Sequence, residues 1–255
     1  MIEDALKELK KNNHENAKFL LLETIKKNPN NADAFNLLCV ISIKENEFEK
    51  AINYIDKAIN LNSNKTSYFI NKGILQKKLK NYDRALLAFS NAISLDKNSF
   101  NAYFHRGNIY HEIQRYNESI KDIEKSLLLN NNFYPALFVK GNIYFNKRKY
   151  NDALKFYSKT IEINPKFSDA YLQRGITLKL LKNYKASLED IYISLRLNPD
   201  NRRANAAIGE VYLSQGKNEE GFRLKQEYEG NIKFSIKSGV EISGGFVNEE
   251  TIWDH

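Results

Sequence analysis

Residues 100–133 read FNAYFHRGNIYHEIQRYNESIKDIEKSLLLNNNF. Tyr103, Gly107 and Tyr110 recur at helical spacing before a break near Gln114–Arg115, and Tyr116, Ile120, Ile123 and Leu127 recur after it. Each run is roughly 13 residues, or about 20 Å of helix. The stretch therefore predicts a helical hairpin with a very short turn. Asn-rich or Asn-Pro segments such as KKNPNN, INPKFS and LNPDN stop one helix, and Ser99 or Ser168 can cap the next.

The same unit recurs along the chain. Gly73, Gly107, Gly141, Gly175 and Gly209 each stand 34 residues after the last. An aromatic ladder (Phe48, Tyr82, Tyr116, Tyr150, Tyr184) keeps that step, as does a small-residue ladder of Ala17, Ala51, Ala85, Ser119, Ala153, Ser187 and Gly221. Pro29, Pro165 and Pro199 are separated by whole multiples of it. A glycine in the first helix lets it approach the second closely, where the small-residue ladder is expected to face it. Seven units follow, near 1–31, 32–65, 66–99, 100–133, 134–167, 168–201 and 202–230, leaving 231–255 as a tail. Stacked units bury a continuous core between neighbours and need no separate domain centre.

Bulk composition narrows the classes. The chain has 255 residues, 42% hydrophobic and 27% charged, which reads as folded. A single cysteine, Cys39, excludes an internal disulfide framework and fits a reducing compartment. The opening MIEDALKELKKNNHENAKFLL has no long apolar core, so no secretory signal is read there, and no stretch approaches the length of a membrane span. The expected location is cytoplasmic. The formal charge is +8, but Lys and Arg are scattered among acids without a dense basic run, which disfavours nucleic acid as a partner.

Taken together, the period, the aromatic four residues before the glycine (as Tyr103), the aromatic opening the second helix, the small residue three beyond it and the closing Pro resemble the tetratricopeptide repeat. The resemblance covers about residues 1–230, with Ala5 and Cys39 in place of glycine and Gly221 where alanine is usual. It implies an all-α, right-handed superhelical solenoid of about seven 34-residue helix-turn-helix units, and a protein-binding scaffold or adaptor rather than an enzyme. A subfamily that grips the carboxylate of a chaperone tail has Lys three before the glycine; Phe104 and Phe138 occupy that place here, so this mode of capture is not expected.

Two side-chain patterns bear on function. Lys72, Arg106, Lys140 and Arg174 each precede a glycine. Asp122 and Asp190 stand sixteen residues after the two arginines, whereas Ala88 and Phe156 stand there after the lysines. The planar guanidinium can use the acid bidentately, so Arg106–Asp122 and Arg174–Asp190 are expected to pair within a hairpin, while the lysines reach toward water. On the inner, concave wall the residues three before, one after and four after the glycine are Ile70, Ile74 and Lys77; Phe104, Asn108 and His111; Phe138, Asn142 and Phe145; and Leu172, Ile176 and Lys179. Asn71, His105 and Gln173 lie beside them. Exposed rings alternating with amides suit an extended peptide, its backbone held by the amides and its side chains by the rings. The ligand site is thus expected at Asn71, Phe104, His105, Asn108, Phe138, Asn142, Phe145 and Gln173. The alternative is a nucleic-acid-binding repeat protein using its scattered basic residues.

In the tail, NIKFSIKSGVEI alternates, with Ile232, Phe234 and Ile236 on one face and Ser238–Gly239 as a candidate hairpin turn. It reads either as a cap on the last repeat or as a strand or Trp253 motif that inserts into a partner or a second copy. No catalytic motif appears. His105 and His111, six apart on a helix, point about 120° from each other, which spoils a two-point metal site. No cofactor and no metal are expected.

Overall fold

The structure, a computed structural model, describes residues 1–229, 233–235 and 241–243. Two compact units divide it, Met1–Ala136 and Leu137–His255. The first holds α1 (Ile2–Lys10) with α2 (His14–Lys27), α3 (Ala32–Lys44) with α4 (Phe48–Leu61), α5 (Thr66–Lys78) with α6 (Tyr82–Leu95), and α7 (Phe100–Glu112) with α8 (Tyr116–Leu129). The division falls in α9 (Tyr134–Asn146). The second unit continues with α10 (Tyr150–Ile163), α11 (Ser168–Leu180) with α12 (Tyr184–Leu197), and α13 (Arg202–Ser214) with α14 (Asn218–Glu229). The fold is all-α and built of helical hairpins. No helix among the described residues is long and apolar enough to cross a membrane.

Each hairpin turns the same way. Asn12, Asn46, Lys80, Gln114, Arg148 and Lys182 have φ between 58° and 62°, and Gly216 has 78°. They stand one repeat apart. At Gln114 the amide donates to His111 O (3.0 Å) and the next amide, of Arg115, reaches back to Tyr110 O (2.7 Å). The pair closes the orphan carbonyls at the end of the first helix, with a left-handed residue making the corner. Second helices end on Asn28, Asn62, Asp96 and Asn164, whose side chains accept from the amides of Asn30, Asn64, Asn98 and Lys166. These local bonds explain why the repeat ends are Asn-rich. The next helix is capped by the side chains of Asn31, Ser99 and Asn201. Ser168 does not cap: it is already helical, and Phe167 holds the cap position without a side-chain bond.

The helices of a hairpin touch at glycine. A Cβ on Gly73 would lie 2.5 Å from Phe89 Cε1, and one on Gly141 would lie 2.6 Å from Tyr157 Cε1. At Gly107, Gly175 and Gly209 the corresponding gaps are 3.1 Å to Ile123 Cδ1, 2.8 Å to Ile191 Cγ1 and 2.9 Å to Gly221 O. The glycine therefore makes room for the side chain sixteen on and, at Gly175 and Gly209, also for the backbone oxygens of Ser187 and Gly221 in the small-residue ladder. That ladder does other work: Ser119 Oγ donates to Gly107 O and Ser187 Oγ to Gly175 O, both at 2.7 Å.

Within each unit, buried clusters join a hairpin to the first helix that follows it. Ala5, Ala17 and Leu21 pack with Ala34, Leu38 and Ile41 of α3. Phe35, Cys39, Ala51 and Ile55 pack with Tyr68 and Leu75 of α5. In the second unit, Leu172 and Ile191 pack with Ala204, Ile208 and Val211 of α13. Burial pushes the Cys39 thiol up to about 12, so it is an inert packing group in the glycine's place. Lys233–Ser235 and Glu241–Ser243 form two short antiparallel strands, β1 and β2. The Ser238–Gly239 turn, Ile232, Ile236 and Trp253 lie outside the described residues.

A non-glycine residue in the left-handed region costs about 1–2 kcal/mol. Lys80→Gly and Lys182→Gly, both at exposed corners, are therefore expected to raise stability by about 0.5–1 kcal/mol each. Urea midpoints measure this, and unchanged or lower midpoints would contradict it.

Candidate functional site

First helices of consecutive hairpins lie side by side in the first unit, α3 against α5 and α5 against α7. Rungs between them follow one spacing, a repeat plus one residue. Tyr68 Oη donates to Asp33 Oδ1 (2.6 Å), Asn71 Nδ2 donates to Asn36 Oδ1 (2.7 Å), and Lys77 Nζ pairs with Glu112 Oε1 (2.6 Å). Spacings read within one repeat do not reveal Asp33, Asn36 and Glu112, although a single 35-residue offset in the sequence links all three to their partners.

Asn71, expected as a ligand contact, is thus already engaged by Asn36. His105 stacks on Phe89, with centroids 5.4 Å apart and planes 13° apart. Desolvation, aided by the Lys77 charge, holds its imidazole down at about 4, so it is neutral at physiological pH. Phe104 is half-buried rather than exposed. Its ring meets Phe133 edge-on at 5.0 Å and lies 5.1 Å from His105. Ile70 and Ile74 also lean on the cluster of Ala85, Phe89 and Ile109. What remains open is Asn108. Its half-buried carboxamide has no partner among the described residues.

The second unit repeats the pattern with one difference. Phe138 is half-buried, edge-on to Phe167 at 5.0 Å and 5.8 Å from Tyr157. The expectation of two solvent-facing rings fails in both units for one reason: an aromatic at the helix-cap position, Phe133 or Phe167, covers each. Asn142 Oδ1 accepts from the buried Tyr157 hydroxyl at 2.8 Å. Asn108 lacks this bond because Ile123 stands where Tyr157 does. Phe145 packs on Tyr150 (5.7 Å), and Gln173 Oε1 accepts from Arg203 Nη2 (3.2 Å). Lys179 pairs closely with Glu210.

The basic ladder lies on the hairpins' other side. Arg106 Nε and Nη2 donate to Asp122 Oδ2 and Oδ1 at 2.7 and 2.8 Å, while Nη1 reaches Ser90 Oγ at 3.1 Å. Arg174 does the same with Asp190 (2.7 and 2.8 Å) and Ser158 (3.1 Å). Each guanidinium fastens three helices: its own, the second helix of its hairpin and the second helix of the hairpin before. The lysines do not simply reach water. Lys72 turns back to Asp56 at 2.8 Å, and Lys140 lies 4.9 Å over the Phe156 ring. The acid or ring lies sixteen residues away on one side or the other, so the ammonium takes whichever is present.

Family models described as tetratricopeptide repeat match residues 32–65, 100–133, 134–167 and 156–189, and one described as TPR repeat matches 78–114; together they cover more than half of the chain. No curated protein matches it. Among solved structures the chain is similar to the APC/C hetero-tetramer Cut9–Hcn1 (TM-score 0.72, 17% identity, 82% of this chain), of which it spans only 43%. It is similar to PilW, described as a widely conserved type IV pilus biogenesis factor (TM-score 0.72, 17% identity, 82% of this chain and 96% of that one). It is also similar to YrrB, described as a TPR protein with an unusual peptide-binding site (TM-score 0.54, 21% identity, 72% of this chain and 95% of that one). At such identities the likeness is one of fold.

Two outcomes are expected from these contacts. Asp122→Ala strands the Arg106 guanidinium and should cost about 2–3 kcal/mol, whereas Asp56→Ala, in a half-exposed pair, should cost less than about 1 kcal/mol. Equal urea midpoints for the two variants would refute the distinction. His105 is protonated near 6.5 when unfolded and only near 4 when folded, so its contribution is complete above 6.5 and lost as pH falls toward 4. His105→Phe should therefore flatten the decline of stability between pH 7 and pH 5. An unchanged slope would show that other groups cause it.

Proposed function

The chain belongs to the tetratricopeptide repeat family, and from that premise we propose that it is a protein-interaction scaffold whose first-helix faces hold an extended peptide segment of a partner. The observation that carries the reading is Asn108. Asn108 is half-buried, and its carboxamide, without a partner among the described residues, can donate to and accept from one peptide unit at once. Asn142, with its oxygen held by Tyr157, offers its amide hydrogens to the same kind of ligand. Within the first unit Phe104, and within the second Phe138 and Phe145, supply half-buried apolar surface, and a peptide's side chains need add only the uncovered part. YrrB's described peptide-binding site, on a similar fold, supports the choice of ligand class.

The alternative, nucleic acid, draws less support. The two ladder arginines already direct their guanidinium nitrogens to Asp122, Ser90, Asp190 and Ser158. The scaffold works by holding, not by catalysis, and in our reading it does so in the cytoplasm, where the lone Cys39 stays a thiol.

Asn108→Ala breaks no bond among the described residues, so it reads the face directly. Immobilised wild type is expected to retain specific proteins from native lysate that the folded variant releases. Retention should change little with added salt, since phosphate-driven binding weakens steeply in log salt. Identical captured sets, or loss of all of them at raised salt, would overturn the reading.

A further inference from the structure

On the side of the first unit opposite the peptide face, α4 and α6 flank a cleft of about 360 Å³ floored by α5. Lys72 and Asp56 lie in it, with Arg84, Leu87 and Ala88 along α6. An equivalent cleft recurs in the second unit, 102 residues on, where Arg174, Ser158, Ala186, Glu189 and Asp190 take those five places. There the Arg174–Asp190 pair closes the floor. In the first unit's cleft the acid stands instead on the preceding second helix, where Asp56 pairs with Lys72. Ala88 stands where Asp190 does, Leu87 replaces Glu189, and Arg84 replaces Ala186.

These exchanges turn a self-neutralised cleft into a receptive one. Leu87 is 63% exposed. Arg84 is exposed, and its guanidinium has no partner among the described residues. Two cations, Lys72 and Arg84, line the cleft against one carboxylate, Asp56, whose bond to Lys72 is half-open to solvent. We propose that this cleft docks a partner protein through a segment carrying an acidic side chain beside an apolar one. The partner's carboxylate occupies the place that Asp122 and Asp190 fill in the other hairpins, between Lys72 and Arg84, and its apolar side chain covers Leu87. Charge complementarity selects an acidic segment over a basic one. Burial of the exposed Leu87, with Ile52 and Phe69 also lining the cleft, supplies the contact that charge alone would not. The cleft stands apart from the peptide face and does not depend on it.

The test uses the full chain and two fluorescein-labelled helical peptides with one leucine face, flanked by aspartates in one and by lysines in the other, read by fluorescence anisotropy. The aspartate peptide is expected to bind, and the lysine peptide at least about tenfold more weakly. Ala88→Asp returns the chain's own acid to the floor and should weaken the aspartate peptide about tenfold or more, as should Arg84→Glu. Asn108→Ala should leave it unchanged. Should Ala88→Asp fail to fold by circular dichroism, Arg84→Glu and Leu87→Gln, at exposed positions, decide the matter. Absence of binding, binding that these cleft variants leave intact, or binding that Asn108→Ala abolishes would each overturn the proposal.

Discussion

A hydrogen atom where other residues carry a side chain sets the geometry of every hairpin with a ladder glycine. With Gly73 and Gly141 the first helix comes so near that the rings of Phe89 and Tyr157 lie where a Cβ would be. Close approach fixes which residues of the second helix face which residues of the first, and that fixes the sixteen-residue offset at which Arg106 finds Asp122 and Arg174 finds Asp190. Displace the helices by the width of a methyl group and the guanidinium forks lose their bidentate fit. The second offset, one repeat plus one residue, arises in the same way between neighbouring first helices and produces the rungs of Tyr68, Asn71 and Lys77.

Those offsets decide what is left for a ligand. Polar groups on the first-helix faces are mostly tied to the neighbouring hairpin, and the rings are half covered, so the surface is largely satisfied before anything arrives. Asn108 is the exception because the second helix offers it Ile123, where Asn142 meets Tyr157. On the other side the exception is Ala88, where the three units that follow have Asp122, Phe156 and Asp190. In both places an aliphatic residue of the second helix, Ile123 or Ala88, stands where another hairpin offers a polar group, and chemistry is left unused. A pre-ordered surface also costs a binding partner less, since few side chains remain to be immobilised.

The helical hairpins and their phase were legible in the sequence because glycine, the opening aromatic and the small residue recur at a fixed step. The contact of Arg106 with Asp122 was also legible, since both partners lie in one unit and their spacing repeats at Arg174. What one unit cannot display is its neighbour. Asn36 beside Asn71, Ser90 beside Arg106, Asp56 beside Lys72 and Phe133 over Phe104 are all contacts to or from an adjoining hairpin or the loop leading to it. The left-handed corners escaped for a different reason. Glycine is the usual signal of such a corner, and only Gly216 carries it, while Lys80, Gln114, Arg148 and Lys182 adopt it without announcing it.

The buried clusters of the first unit overlap like roof tiles: α3 contributes to the cluster before it and the one after, and so does α5 to its own neighbours. Under tension from the amino terminus such an arrangement comes apart in series. Peeling α1 and α2 away uncovers Ala34, Leu38 and Ile41 but leaves Phe35 and Cys39 on the other flank of α3 still packed against Ile55 and Tyr68. Force is therefore met by one small apolar contact at a time, and a stretched molecule would lengthen in steps of a hairpin and rewind along the same steps when released.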